Sequence, residues 1–246
     1  MLDVHPPHTA THTWRDFLLH IATICVGLLI AVSLEQSVEA IHRARERKEL
    51  REALAHESEQ ILKDTQGVDS RASVYIAWIT TTEQQLSDAS RLHRSPGPFA
   101  PSPSVKASQP DDPIFRAAAA GSQLALLSRP EVEAFSEVHQ LVTVFGIRDQ
   151  ETAVAVSDFA NFRHADSFAK LPGTAPFADA SPQDLKTAYD LLGREERAIT
   201  LARRWARTIE GAENAICNGE RDLQKIEAAE GQFRDTPSPP TPTEKK

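Results

Sequence analysis

The uninterrupted apolar run Phe17 to Leu34, FLLHIATICVGLLIAVSL, limits what this chain can fold into more than any other feature. Its 18 residues carry no formal charge. As a helix the run is about 27 Å long, just enough for a hydrocarbon core of roughly 30 Å. Arg15 and Asp16 bound one end and Glu35 the other, and Trp14 stands where an indole suits a membrane interface. A soluble core helix would carry a polar stripe. Here His20, Thr23 and Ser33 are scattered, and hydroxyls can bond their own backbone inside a bilayer. His20 lies one turn inside the boundary, close enough to snorkel to the interface.

A cleaved signal peptide is the competing reading. Ala31-Val32-Ser33 has small residues where a signal peptidase would want them. Against it, Arg15 is the one Lys or Arg among the first 16 residues, and LEQSVEAIHRARERKELREAL continues as a helix with no turn former near the cut. A retained transmembrane helix is therefore the expectation. Thr23, Gly27 and Ala31 fall at spacing four, a pattern that lets two helices approach closely, and they form a candidate association face. Chance alignment of small residues is the alternative. After the run come Arg43, Arg45, Arg47, Lys48 and Arg51, a candidate lipid-facing basic segment. Glu39, Glu46, Glu49 and Glu52 interleave with it, so a solvated helix face competes. Basic residues stay on the cytoplasmic side, so the bias favours a cytoplasmic C-terminal region, with a periplasmic one as the alternative.

Downstream, helical periodicity dominates, and an all-α fold is expected: one transmembrane helix continuing into an antiparallel helical bundle. The organisation read from the pattern is a tail over 1–16, the span over 17–34, a bundle over 35–233 and a proline-rich tail over 234–246. Within the bundle, helices are expected over 35–66, 69–92, 114–127, 130–169 and 182–230. Tyr75, Ile79, Thr82, Leu86 and Ala89 share one helical face. Val138, Phe145, Thr152 and Phe159 recur every seven residues, as do Ala202, Ile209, Ile216 and Leu223. Gly146 is expected to weaken or bend its helix. Residues 95–113 (SPGPFAPSPSVKASQPDDP) read as a mobile loop or linker, and Asp111 and Asp112 as capping groups for the helix that follows. Ser128-Arg129-Pro130 and Ser181-Pro182 read as helix starts.

No catalytic, cofactor-binding or metal-ligating residues are nominated. The net charge of −8 argues against nucleic-acid binding, which needs a basic footprint. Phosphate loops, dinucleotide fingerprints, nucleophile elbows, paired CxxC and HExxH motifs do not occur. His5, His8 and His12 form a cluster of a kind that can bind a metal ion loosely, but a mobile tail with incidental histidines is the preferred reading. On a helix, neighbours one or two apart point in different directions, so Arg163, His164 and Asp166 are not a ready catalytic group. Cys25 lies in the apolar run and Cys217 far from it, and Cys217 reads as a passive thiol.

The segment TWRDFLLHIATICVGLLIAVSLEQSVEAIHRARE, through Trp14, Asp16, Phe17, Gly27, Leu34, Glu35, Gln36, His42 and Arg43, resembles a group of uncharacterised bacterial single-pass membrane proteins. A second segment, FRAAAAGSQLALLSRPEVEAFSEVHQL, is similar through Gly121, Leu124, Leu126 and Leu127. The resemblance implies a retained anchor and a bacterial origin; it carries no activity. The expected role is a membrane-anchored interaction or scaffold protein in the bacterial cytoplasmic membrane, without intrinsic catalysis and without a cofactor. Its expected partners are the bilayer, a second copy of itself and an unidentified protein, with no nucleic acid. The alternatives are a periplasmic sensory or ligand-binding bundle, or an exported helical protein after signal cleavage.

Overall fold

The computed structural model describes residues 14–92, 100, 102–103, 109–164 and 181–235. Among them all regular structure is helical: α1 (Trp14–Leu92), α2 (Pro113–Ala120), a 3-10 turn (Gln123–Leu126), α3 (Arg129–His164), α4 (Pro182–Cys217) and α5 (Leu223–Asp235). His5, His8, His12, Asp166, most of the expected break at 171–182 and the proline-rich tail beyond Asp235 lie outside the described residues. The chain divides into two compact units, Met1–Glu49 and Leu50–Lys246. In the first, residues 14–49 are helical and every one of them is exposed.

The core of the second unit has two clusters. One joins Leu54 and Ile61 of α1, Phe115 of α2, Phe135, Val138 and Phe145 of α3, Ile209 and Ile216 of α4, and Ile226 of α5. The other joins Tyr75, Trp78, Ile79 and Leu86 of α1, Phe159 of α3, and Leu192 and Ile199 of α4. The order of these residues along each helix shows that α1 and α3 run the same way and α4 runs against both. All five members of the expected face from Tyr75 to Ala89 are buried, as are Val138, Phe145, Thr152 and Phe159.

Several expected boundaries move. The division between 35–66 and 69–92 is absent, because α1 passes through Gly67 without a break. A mid-helix glycine costs only about 1 kcal/mol, and the buried residues Thr65, Val68 and Ala72 carry the packed face across it. The 114–127 helix stops at Ala120, where Ser122 adopts a left-handed conformation with φ of 59°. The helix expected over 182–230 is two. Gly219 has φ of +87°, its N–H donates to Ile216 O (2.9 Å), and the Glu220 N–H donates to Ala215 O (3.0 Å). These paired bonds satisfy the last carbonyls of α4 and turn the chain. α3 continues through Gly146 to His164, so that glycine does not end it.

The described residues of 95–113 are attached rather than free. Trp78 Nε1 donates to Ala100 O (2.9 Å), Tyr75 Oη and Ser102 Oγ are 3.0 Å apart, and Gln109 bonds Asp149. Pro110 and Asp112 are buried. The chain thus leaves α1 at the second cluster and re-enters at the first.

α5 folds back against α4 at Gly211. A Cβ there would lie 2.7 Å from Ala229 O. Gly211→Ala must push the two helices apart and is expected to cost about 1–3 kcal/mol, read as a lowered urea midpoint. Gly146→Ala, with nothing within 4 Å of the added carbon, is expected to be neutral or to stabilise by up to about 1 kcal/mol.

Candidate functional site

The apolar run lies wholly on the surface. Leu19, Leu28, Leu29, Ile30 and Leu34 are exposed, and no residue of the 18-residue window that qualifies as a membrane span is buried. Its hydroxyls are satisfied within the helix: Thr23 Oγ1 donates to Leu19 O (2.8 Å) and Ser33 Oγ to Leu29 O (2.6 Å). That is what an apolar medium demands of them. Gly27 has open space around it, and Thr23 and Ala31 are exposed one turn either side. Of the basic residues, Arg43 pairs with Glu39 one turn back (3.0 Å), while Arg45, Arg47 and Lys48 are exposed. Arg51 belongs to the second unit, where it makes a two-pronged bond to Glu131 (2.7 and 3.0 Å). Glu131 also accepts from the N–H and hydroxyl of Ser128, so one carboxylate ties α1 to the first turn of α3. The guanidinium beside it holds Glu131 down to about 2.

Polar groups converge at the start of α2. Asp112 occupies the N-cap position but makes no side-chain cap bond. The cap comes from α1: Glu57 accepts the N–H groups of Ile114 (2.5 Å) and Phe115 (3.0 Å). The capping role expected of Asp111 and Asp112 is thus filled from 57 residues away. Asp112 is committed elsewhere, to Arg116 Nη1 (2.8 Å) and His139 Nδ1, and Asp111 bonds Arg116 Nη1 at 2.7 Å. The His139 ring stacks on Phe115, with centroids 4.8 Å apart. Beside this group Glu213 of α4 is fully buried, and its carboxylate has at most the Ser58 hydroxyl as a hydrogen-bond donor. Burial raises Glu213 to about 7; Ser58 lowers it, and nearby Glu57 raises it further. Burial also raises Glu57, and its two backbone donors pull it back. Among the described residues no three His, Cys, Asp or Glu side chains could hold a metal ion.

A second buried group lies at the other cluster. Tyr75 Oη donates to Glu195 Oε1 (2.6 Å), and Glu195 Oε2 is unpartnered. Burial raises Glu195 to about 7, against opposing pulls from Tyr75 and Arg163. Tyr75 is itself pushed up, chiefly by burial. Trp78 lies edge-on to both Tyr75 and Phe159. Between the two groups, Asp69 accepts from Arg203 Nε at 2.7 Å. Cys217 is at the surface, but desolvation of its sulfur pushes the thiol up, away from the reactive thiolate.

Sequence reasoning missed Glu57, His139, Glu195 and Glu213. Glu195 and Glu213 sit among the Arg and Glu residues of a helix whose polar face reads as solvated, and no short-range pattern separates a buried glutamate from its neighbours. Compared with protein-family models, curated proteins and solved structures, the chain matches none.

The raised glutamates set the sign of the pH dependence. Glu195, Glu213 and Glu230 each rise from 4.5 to about 7. The folded state therefore binds more protons than the unfolded one between these values. Their contribution is fully present below about pH 4.5 and is lost as pH rises through about 7. Glu131, held at about 2, acts oppositely: its contribution is present above about pH 4.5 and is lost as pH falls through about 2. Urea unfolding of the full chain in detergent, followed by tryptophan fluorescence, is expected to show lower stability at pH 8 than at pH 5.5. Glu195→Gln keeps an acceptor for Tyr75 and removes the buried charge. It is expected to recover about 1–3 kcal/mol at pH 8 and little at pH 5.5.

Proposed function

We propose that this chain is a membrane-anchored interaction or scaffold protein of the bacterial cytoplasmic membrane, without catalysis of its own. Phe17–Leu34 is its anchor and Leu50–Lys246 an antiparallel helical bundle on the cytoplasmic side. The observation that carries this reading is the complete exposure of an apolar segment long enough to span a bilayer. In water such a surface is a large apolar liability; in lipid it is the natural solvent-facing side of the helix. The internally bonded hydroxyls of Thr23 and Ser33 agree with that environment. The orientation rests on Arg43, Arg45, Arg47, Lys48 and Arg51, since basic residues that follow a span hold their side in the cytoplasm. The partners are lipid, a second copy through Thr23, Gly27 and Ala31, and a protein recruited by the bundle.

Paired C-terminal fusions test the placement. A fluorescent protein that matures in the cytoplasm is expected to glow, and a phosphatase active only outside it is expected to be silent. An active phosphatase would instead make this a periplasmic bundle suited to sensing or ligand binding. The mass of the mature chain is expected to include residues 1–33, which a cleaved signal would lack. For self-association, Gly27→Ile puts a branched side chain into the close-approach face. It is expected to lower the dimer fraction several-fold in a transmembrane association assay, while Leu28→Ile leaves it unchanged.

A further inference from the structure

We propose that Glu57, Asp112, His139 and Glu213 form a pH-operated clasp that holds α2 against the bundle in acidic conditions and loosens it in alkaline ones. α2 has only 8 residues, too few to be stable on its own, so it depends on what holds it. Phe115 and Ala118 supply the apolar hold. The polar hold lies at one end: Glu57 on the Ile114 and Phe115 N–H groups, and Asp112 bridging Arg116 of α2 to His139 of α3.

The charged groups around this end come from every neighbouring element. α1 brings Glu57; the segment before α2 brings Asp111 and Asp112; α2 brings Arg116; α3 brings His139; α4 brings Glu213 and the thiol of Cys217. The turn after α4 brings Arg221, which lies over Phe135 and donates to Ile216 O. With Glu213 neutral, Arg116 pairs with Asp111 and Asp112, His139 bonds Asp112, and Glu57 is held by two backbone N–H groups. Deprotonating Glu213 adds a fourth carboxylate charge to those of Glu57, Asp111 and Asp112. Glu213 is fully buried, and beyond the hydroxyl of Ser58 its carboxylate has no hydrogen-bond donor, so its new charge is poorly matched. Burial places that ionisation near neutrality, at about 7. A buried, unpaired carboxylate beside two others is relieved most directly by admitting water, and the short helix capped by Glu57 is the element with least else to hold it.

Hydrogen exchange read by mass spectrometry on the full chain in detergent tests this. Rates are corrected for the intrinsic pH dependence of exchange. Protection of the 113–120 amides is expected to fall roughly tenfold between pH 6 and pH 8.5, while the buried stretch 135–145 of α3 holds. Glu213→Gln is expected to keep the pH 6 protection of α2 at pH 8.5, and His139→Asn to lower it at pH 6. Wild-type α2 protection that does not change with pH overturns the proposal, as does a Glu213→Gln chain that responds like wild type. If Glu213→Gln also loses protection across 135–145, it is misfolded, and the wild-type series together with His139→Asn decides.

Discussion

The hydrogen bonds from the Ile114 and Phe115 N–H groups to Glu57 are the contact on which the chain's path depends. A helix N-terminus leaves backbone donors unmet, and buried donors must find acceptors. Asp112 stands at the right position to supply one and does not, because its carboxylate is held by Arg116 and His139. Glu57 supplies it from α1. That bond fixes where the chain re-enters the bundle after Leu92. α3 then runs in the same direction as α1, and α4 runs against both.

Two apolar clusters and a set of buried carboxylates share the same helices. Ile209 and Ile216 are buried about one turn either side of Glu213 along α4, and Leu192 and Ile199 about one turn either side of Glu195. The apolar contacts give the second unit its cohesion. The carboxylates give it a dependence on pH that an all-apolar core would lack, since each keeps its proton near neutrality only by being buried. Glu131, bonded to Arg51 and Ser128, has the opposite character: its charge is matched and its contribution is lost only in strong acid.

Much of the helical framework was legible from spacing. Val138, Phe145, Thr152 and Phe159 are buried as their seven-residue recurrence requires, and Ser181 caps α4 through a reciprocal pair with Asp184. The Asn218-Gly219 pair that ends α4 was also legible as a helix stop, but the apolar rhythm on either side of it carried the reading past. The division expected between residues 66 and 69 erred in the other direction: packing on both sides carries α1 straight through it. The proline- and serine-rich stretch read as unattached because nothing local shows that Trp78 and Tyr75 hold Ala100 and Ser102. Those bonds span more than 20 residues.

By itself the sequence determined the all-helical class, the long apolar segment Phe17–Leu34 and the faces that the later helices bury. Each of these follows from residue type and short-range period, which depend on backbone geometry alone. Only the tertiary structure decided which glutamates are buried, which residue caps α2, and where Arg51 finds its partner. Those outcomes depend on groups brought together from 57 to 120 residues apart, as Glu57 meets Ile114, Arg51 meets Glu131 and Tyr75 meets Glu195. A charged side chain reads the same in sequence whether it faces water or a packed helix, and only the packed helix changes its chemistry.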